Sequence, residues 1–276
     1  MEYATLNNGV KMPMAGIGTF LLTPDEAEAS CVSALQNGYR LIDTANAYVN
    51  EKAVGRAMKK SGLQREEIFL ETKLWPSFYE QPGAVDKTLA RLDTPYIDLL
   101  LIHQPFGDYY GSYRAMEEAY KAGKARAIGV SNFYPDRFID IAHFSEIKPA
   151  VNQVETHVFQ QQKVARKYLE QYGTQIMSWG PFAEGRNNFF STPELIEIGS
   201  RHGKTAAQVA LRFLLQSGVV VIPKSVHENR MQENFNVFDF QLTTDEMKQL
   251  KSLDTGKSLF FSHHDPETVS WFMSIV

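Results

Sequence analysis

The sequence predicts a single (β/α)8 barrel, and three observations lead to that fold class. Short apolar runs alternate with amphipathic helical segments eight times along the 276 residues. No Ser/Gly tract, charge block or low-complexity segment divides the chain into parts. Eight alternating units in one undivided chain of this length favour a closed parallel barrel, so residues 1–276 are predicted to form one domain.

The first predicted elements are a hairpin and one strand-helix unit. Asn-Asn-Gly at 7–9 lies between two short β-like runs and predicts an N-terminal β-hairpin. The run 14–20 is strand-like, and 23–38 is helical. Thr23 and Glu26 are spaced as a capping box, which places the start of that helix.

The same unit recurs seven more times after residue 38. Continuous apolar strands followed by amphipathic helices are typical of parallel sheets, which are buried on both faces. The predicted strand and helix pairs are 39–45 with 51–61, 68–74 with 82–92, 97–105 with 112–122, 126–132 with 134–143, 150–157 with 160–172, 174–181 with 193–202 and 205–216, and 219–225 with 227–237.

A doubly wound open sheet is the competing architecture. Such a sheet usually binds a dinucleotide at a GxGxxG sequence that follows its first strand. Residues 16–21 read GIGTFL and lack the third glycine. The barrel is therefore the favoured fold class.

The composition limits the class of protein before any motif does. With 43% hydrophobic residues, a net charge of −4 and a pI near 6.0, the chain has no overall attraction for nucleic acid, and a site for an anionic ligand must be local. Cys31 is the single cysteine, so we expect a reduced packing residue and no intrachain disulfide. The start, MEYATLNNGVKMPM, is neither basic nor strongly apolar, and no window approaches ~18 consecutive apolar residues. These features predict a cytoplasmic protein without a membrane span.

Polar side chains follow three consecutive predicted strands, and they are Asp43, Tyr48, Lys73 and His103. Taken singly, each has an ordinary interpretation as a loop cap, a packed ring, a solvated strand end or a hydrogen-bonded histidine. Because the carboxyl ends of barrel strands meet at one mouth, the set predicts an Asp43–Lys73 ion pair that assists Tyr48 as a general acid. A cation beside a phenol favours phenolate, so we expect a lowered Tyr48 pKa. His103 would hydrogen-bond the atom that receives the proton.

These residues stand in motifs that resemble the aldo-keto reductase family, and the resemblance extends over 16–234. The family pattern is met, in order and spacing, by GYRLIDTANAY at 38–48, ETKLW at 71–75, LLIHQP at 100–105, IGVSNF at 128–133, VNQVE at 151–155 and IPKS at 222–225. The resemblance implies a (β/α)8 barrel that binds NADP(H) and uses no metal. It also implies that Tyr48 donates a proton as hydride passes from the nicotinamide to a carbonyl carbon. The implied catalytic set is Asp43, Tyr48, Lys73 and His103.

The resemblance also implies a cofactor-binding surface. Ser131, Asn132 and Gln153 would hold the nicotinamide carboxamide, a group that both donates and accepts and so suits hydroxyl and amide side chains. Trp179 would stack on the nicotinamide ring, and its SWGP context is similar to the bacterial branch that includes the 2,5-diketo-D-gluconate reductases. The implied cofactor residues are Gly18, Thr19, Ser131, Asn132, Gln153, Trp179, Gly180, Pro181, Phe182, Gly185, Pro223, Lys224, Ser225, Val226, His227, Arg230, Glu233 and Asn234.

Local positive charge near the end of the last strand is expected to bind the adenosine 2′-phosphate. By resemblance, Lys224, Ser225 and Arg230 cluster around that phosphate. His227 stands where some bacterial relatives have a second arginine. It either contacts the phosphate or only opens the last barrel helix and faces solvent.

The rim of the mouth predicts the substrate class. The loop after His103 is short and the C-terminal tail is compact, so we expect an open, aromatic-lined mouth that suits small aldehydes, ketones or keto sugars. Tyr109 and Tyr110 are also expected at this rim. Adjacent His263 and His264 are expected in a solvated turn, and no metal site is predicted. The predicted substrate-pocket residues are Phe20, Trp75, His103, Phe106 and Trp179.

Two other functional classes compete with this prediction. A metal-dependent barrel hydrolase needs clustered histidines and carboxylates, and each strand end here offers at most one such type of ligand. A cofactor-binding regulatory protein of the same fold, resembling the potassium-channel β subunits, keeps the catalytic set, and only its low turnover distinguishes it. We expect a monomer that acts on a small carbonyl compound, with no nucleic-acid or membrane partner.

Overall fold

The computed structural model describes residues 1–275, and its first element is the predicted antiparallel hairpin. Its strands are β1 (Tyr3–Thr5) and β2 (Lys11–Pro13). The Asn8 side chain donates from Nδ2 to the carbonyl of Arg126 at 2.9 Å, just before a barrel strand begins. The hairpin therefore lies at the amino ends of the barrel strands.

A barrel of eight parallel strands forms the centre of the molecule, with the strands arranged in chain order. Val221 bridges Ala15 and donates its N–H to the carbonyl of Met14 at 2.9 Å, so the last strand closes against the first. The predicted (β/α)8 barrel is confirmed. The strands are β3 (Gly16–Gly18), β4 (Leu41–Asp43), β5 (Phe69–Leu74), β6 (Leu99–Ile102), β7 (Ile128–Ser131), β8 (Val151–Glu155), β9 (Gln175–Trp179) and β10 (Val220–Val221).

Every residue of β5 and β6 is buried, as expected for strands covered on both faces. The observed strands are shorter than the predicted apolar runs, because those runs continue past the paired residues into the connections. Side chains on alternate residues point into the barrel, so Glu71 and Lys73 share the inner face of β5, and Thr72 points outward to Glu51 at 2.7 Å. This alternation decides which strand residues can reach the centre of the barrel.

Helices follow the barrel strands and cover them from outside. The capping box predicted at Thr23 and Glu26 is present at the start of the first helix. The predicted start of the fourth helix at residue 112 is wrong, because the Asp108 side chain accepts from Gly111 N at 2.8 Å and starts the helix earlier. The helices are α1 (Pro24–Gln36), α2 (Glu51–Lys60), α3 (Ala84–Leu92), α4 (Tyr109–Lys121), α5 (Pro135–Phe144), α6 (Lys163–Gln171), α7 (Pro193–His202), α8 (Ala206–Gln216), α9 (Glu228–Phe235), α10 (Thr244–Lys251) and α11 (Pro266–Ser274).

The last two helices lie beyond the eight predicted units. A capping box at Thr243 and Glu246 starts α10, and the Asp265 side chain caps α11. The segment between them, 252–265, carries the chain back to the carboxyl ends of the barrel strands. Across residues 1–275, none of the helices is both long enough and apolar enough to cross a membrane.

Candidate active site

A cavity of about 1210 Å³ opens at the carboxyl ends of the barrel strands. Its position agrees with the expectation that residues just past each strand meet at one mouth. The sequence-predicted residues that line it are Gly18, Phe20, Asp43, Tyr48, Trp75, His103, Ser131, Asn132, Gln153, Trp179, Gly180, Pro181, Phe182, Pro223 and Lys224. The structure therefore brings most of the predicted site to one surface.

The Lys73 ammonium does not line this cavity but lies behind Asp43 and Tyr48, which do, and it has no exposed side-chain surface. It forms an ion pair with Asp43 and donates to the carbonyl of Thr44 at 3.0 Å. A second carboxyl, that of Glu71, lies 3.3 Å from Lys73 Nζ. Burial alone would lower the pKa of Lys73, but the adjacent acidic groups, Asp43 first and then Glu71, outweigh it and raise that pKa above its usual value. Lys73 is therefore a cation in the resting site.

Tyr48 reaches the same place from a 3-10 turn, Asn46–Tyr48, that follows β4. Lys73 Nζ lies 5.2 Å from the centre of the Tyr48 ring. The expected lowering of the Tyr48 pKa is wrong: burial raises that pKa, and the opposing effect of Lys73 is smaller. The phenol therefore keeps its proton, which is the form that a proton donor needs.

His103 follows β6 and packs edge-on against Trp75 and Tyr48, with ring centres 5.0 and 5.6 Å apart. Burial, and then the charge of Lys73, lower the pKa of His103 well below its usual value of 6.5. The imidazole is therefore neutral. Its Nδ1 is buried without a hydrogen-bond partner among the described residues, although buried nitrogens are normally paired.

Ser131, Asn132 and Gln153 lie together at the ends of β7 and β8. Asn132 Oδ1 accepts from the Trp179 indole N–H at 2.9 Å, which joins β9 to the group. Gln153 Nε2 donates to Asp43 at 2.9 Å and to Glu71 at 3.1 Å. The Gln153 amide nitrogen is thus committed to the carboxyl groups, which leaves its amide oxygen as the atom that can meet a ligand.

A sequence model described as the aldo/keto reductase family matches residues 14–255. The chain belongs to the aldo/keto reductase family. It is 44% identical over 254 residues to glyoxal reductase of Bacillus subtilis, covering 90% of this chain and 91% of that protein. It is 38% identical over 258 residues to methylglyoxal reductase of Escherichia coli, covering 92% and 94% of the two chains.

Solved structures agree with the sequence comparisons. An aldo-keto reductase from a Medee basin deep-sea metagenome library superposes with a TM-score of 0.89 at 40% identity, over 95% of this chain and 98% of that one. A Bombyx mori aldo-keto reductase in complex with NADP gives a TM-score of 0.88 at 30% identity, over 93% and 94% of the two chains. The predicted family and fold are confirmed, and this aldo/keto reductase is an oxidoreductase that acts on carbonyl compounds.

The residues predicted to bind the 2′-phosphate lie around the start of α9. Lys224 is exposed and lines the cavity, and Arg230 is exposed on the first turns of the helix. Ser225 is buried, and its hydroxyl accepts from the backbone N–H of His227 at 3.0 Å, within the turn that precedes α9. His227 is the exposed N-cap residue, and its side chain makes no capping bond. Both interpretations of His227 therefore stay open.

Several predicted cofactor residues lie beside the cavity and do not line it. The Thr19 hydroxyl is buried and donates to the carbonyl of Asp43 at 2.9 Å, so it supports the strand end. The Glu233 carboxylate accepts from the Thr205 hydroxyl at 2.8 Å, which ties α9 to α8. The others outside the lining are Gly185, Ser225, Val226, His227, Arg230 and Asn234.

The mouth is less open than expected, because the C-terminal tail lines part of it. Tail residues that the sequence analysis missed line the cavity, and they are Phe260, Phe261, Trp271, Phe272 and Ile275. The Phe260 ring lies 5.1 Å from Trp179, and Phe272 lies 6.3 Å from Trp75. The aromatic richness of the tail was the available indication, since such rings are rarely left in solvent.

Three predicted rim residues pack elsewhere. Phe106 lies behind the tail, with its ring 5.5 Å from Phe272, and does not line the cavity. Tyr109 is buried against Phe133 at 5.2 Å, and Tyr110 stacks on Tyr109. They are not at the mouth because α4 begins three residues earlier than predicted and carries both tyrosines onto the barrel wall.

His263 anchors the tail and is not in a solvated turn as predicted. Its Nε2 lies 2.7 Å from Gln104 Oε1, and its ring stacks on Phe272 at 5.5 Å. An amide oxygen only accepts, so Nε2 carries the hydrogen. Burial lowers the pKa of His263 to about 4, which keeps the ring neutral. Its neighbour His264 is exposed, as predicted.

The chemistry of the lining fits a nicotinamide cofactor. Hydroxyl and amide groups surround the base of the cavity. At its far end lies Lys224, which is exposed and forms no ion pair with any of residues 1–275. Between them runs the loop Gly180–Phe182, in which Gly180 has a φ of +62° that favours glycine. Within the described part of the chain, no group of three His, Cys, Asp or Glu side chains is placed to hold a metal ion.

We expect the anchoring of the tail to depend on pH through His263. The folded protein prefers neutral His263, whereas in the unfolded chain this side chain becomes protonated below its ordinary pKa of 6.5. Stability from this contact is present above pH 6.5 and is lost as the pH falls through about 4. The loss should reach up to about 3 kcal/mol in the free energy of unfolding.

The measurement is urea unfolding of wild type and His263→Gln between pH 4 and 7. As the pH rises, the unfolding free energy of wild type should increase relative to that of His263→Gln. His143→Gln, which changes an exposed histidine at the end of α5, is the control and should follow wild type. A constant difference across the range would show that His263 titrates alike in the folded and unfolded chains.

Proposed function

We propose that this aldo/keto reductase uses NADPH to reduce small aldehydes, ketones or keto sugars to alcohols, with Tyr48 as the proton donor. The observation that carries the proposal is the position of a protonated Tyr48 beside the buried Lys73 cation, at the base of a cavity of about 1210 Å³. When bound, NADPH supplies the hydride that reduces the carbonyl carbon.

Tyr48 and Lys73 divide the proton chemistry between them. As negative charge develops on the carbonyl oxygen, the Tyr48 hydroxyl donates its proton there and becomes a phenolate. The Lys73 ammonium stabilises that phenolate because it is fully buried and lies 5.2 Å from the centre of the Tyr48 ring. Asp43 keeps Lys73 in place through the buried ion pair. Removing Asp43 would leave that cation without its closest partner.

His103 orients the carbonyl group in this proposal. Its ring is neutral, lies against Tyr48 and lines the cavity, and because Nδ1 is buried, Nε2 is the nitrogen left to meet a substrate. A neutral imidazole can donate a hydrogen bond to the carbonyl oxygen without competing with Tyr48 as an acid. The substrate oxygen is therefore expected between the Tyr48 hydroxyl and the His103 ring.

The proposed cofactor site runs across the mouth from β7 to α9. Ser131, Asn132 and the Gln153 amide oxygen would meet the carboxamide, and Trp179 would cover the nicotinamide ring. Lys224 would contact the 2′-phosphate, aided by Arg230. The Bombyx mori relative, which binds NADP, supports this choice of cofactor.

Tyr48→Phe is expected to lower turnover by ~100- to 10,000-fold, because it removes the general acid and keeps the ring. NADPH binding should change little. Steady-state loss of NADPH absorbance with an aldehyde measures the turnover. Tyr168→Phe, on the outer helix α6, is the matched control and should retain wild-type activity.

More than half of wild-type turnover in Tyr48→Phe would reject the proposed donor. A wild-type protein that binds NADPH but reduces no carbonyl compound would support the competing class, the regulatory protein of the same fold. The two outcomes are distinct because the second is a turnover measurement on the wild-type protein.

Lys224→Ala is expected to weaken NADPH binding by about 10- to 100-fold, since a charge-assisted hydrogen bond to phosphate is worth roughly 1.5–3 kcal/mol. NADH has no 2′-phosphate, so its binding should change much less. Fluorescence titration with both cofactors gives the two dissociation constants. Lys87→Ala removes an exposed lysine on α3 and should change neither. Equal weakening of NADPH binding and NADH binding would show that Lys224 does not contact the 2′-phosphate.

The tail also supports the preference for small substrates. Glyoxal reductase and methylglyoxal reductase are relatives with small dicarbonyl substrates in their names, whereas morphine 6-dehydrogenase of Pseudomonas putida, 40% identical over 283 residues, is named for a bulky one. Because Phe272 and Phe260 line the mouth, we expect small dicarbonyl compounds to fit better than bulky substrates.

Methylglyoxal, a keto sugar and a steroid ketone are the substrates to compare. We expect kcat/KM to be highest for methylglyoxal or the keto sugar, with no effect of added chelator. A preference for the steroid ketone would contradict the proposed pocket. The cytoplasmic location and the monomeric state stay predictions, and size-exclusion chromatography measures the second.

A further inference from the structure

Glu71 is a second carboxyl group beneath the catalytic pair, and the sequence analysis gave it no role. It is fully buried on the inner face of β5, two residues before Lys73. Its carboxylate lies 3.3 Å from Lys73 Nζ, and Asp43 is its partner in the register of β4 and β5. It does not line the cavity, so it reaches the reaction only through its neighbours.

The charges in this cluster do not balance if every group is ionised. Two carboxylates, Asp43 and Glu71, face one ammonium, Lys73, which would leave one negative charge in a dry interior. An unpaired buried charge costs several kcal/mol, so such a group normally takes up a proton instead. The Tyr48 phenol also borders the cluster and is protonated.

The other strands supply no second cation. From β8 and β9, Gln153 Nε2 and the Met177 sulfur complete the surroundings, and neither carries a charge. Burial, and then the charge of Asp43, raise the pKa of Glu71 well above its usual range, although Lys73 opposes the shift. The extra proton therefore belongs to the carboxyl that has the weaker contact with Lys73.

We propose that Glu71 is a proton reservoir for the reductase site, which holds the balancing proton and returns it through Lys73 to Tyr48 after each reduction. The inference rests on the proposed role of Tyr48. In this step, Lys73 gives a proton to the Tyr48 phenolate and takes one from the Glu71 carboxylic acid. The products are the Tyr48 phenol, the Lys73 ammonium and the Glu71 carboxylate, so the total number of protons is unchanged.

The carboxylate is then protonated again from water when product leaves. Without the reservoir, the phenolate persists until a proton arrives from solvent, whereas Glu71 supplies one from within the cluster and is itself protonated again later, when product release opens the site. Glu71 therefore acts through Lys73 and Tyr48 and does not touch the substrate. We expect its loss to slow repeated turnover and to leave the rate of the first reduction unchanged.

The first test needs neither cofactor nor turnover. Infrared spectra of the cofactor-free protein at pH 7 should contain a protonated-carboxyl band that shifts when glutamate carboxyls are labelled with ¹³C and does not shift when aspartate is labelled. Glu71→Gln should remove that band, and Glu117→Gln, a buried glutamate on α4, should keep it. A band that is absent, follows the aspartate label or survives in Glu71→Gln overturns the proposal.

The pH dependence of the unfolding free energy tests independently whether Glu71 is protonated. A carboxyl whose pKa is raised by folding contributes stability that is present below its unfolded value, 4.5, and is lost as the pH rises through its folded value. The unfolding free energy of wild type should therefore fall relative to Glu71→Gln as the pH rises above about 4.5. If Glu71→Gln does not fold, the spectra of the labelled wild-type protein still show whether a glutamate carboxyl is protonated at pH 7.

The kinetic test separates the first turnover from later ones. In stopped-flow reduction at pH 8, Glu71→Gln should complete its first turnover within about twofold of the wild-type rate and slow by at least about tenfold afterwards. Glu71→Asp, which keeps an ionisable group, should restore part of the later rate. A variant slowed equally in the first and later turnovers, or in neither, contradicts the reservoir.

The two proposals fail in different ways. If wild type reduces no carbonyl compound, the proposed function is wrong, while the spectra still report whether Glu71 holds a proton. If wild type turns over but Glu71→Gln is slowed equally in its first and later turnovers, or in neither, only the reservoir is wrong.

Discussion

The burial of the Lys73 ammonium is the constraint on which the rest of the site depends. A cation without exposed surface at the centre of a barrel requires compensating charge, which Asp43 supplies from β4, while the Glu71 carboxyl adds a second polar contact from β5. Gln153 then donates to both carboxyls from β8. Three strands are therefore joined through polar groups at one depth in the barrel, directly below Tyr48.

Exclusion of water sets the protonation states around that cation. Burial is the largest effect on the pKa of Tyr48, His103 and Glu71, and in each case it favours the neutral form. A neutral phenol, a neutral imidazole and a neutral carboxylic acid around one ammonium leave the resting site without an unpaired buried charge. The enclosure that produces this state comes partly from the tail, whose Phe272 and Phe260 lie across the mouth.

The family resemblance and the fold could be predicted because their causes are local. Strands covered on both faces need continuous apolar runs, and helices need amphipathic ones, so the alternation was visible along the chain. The same rule gave Asp43, Lys73 and His103, because a polar residue at the end of an apolar run is conspicuous. Glu71 was missed although it lies inside such a run, since nothing local indicates whether a carboxyl in a strand faces a cation or another chain segment.

The sequence by itself determined the barrel, its order of strands and the residues that follow each strand, because all of these rest on periodicity and spacing within short segments. Only the tertiary structure decided that the tail covers the mouth, that His263 is held by Gln104, and that the pKa of Tyr48 is raised. These depend on contacts between residues far apart in the chain, such as His263 and Gln104, and on how much water those contacts exclude. Neither the contact nor the loss of water has a local pattern in the sequence, so both became visible only once the chain was folded.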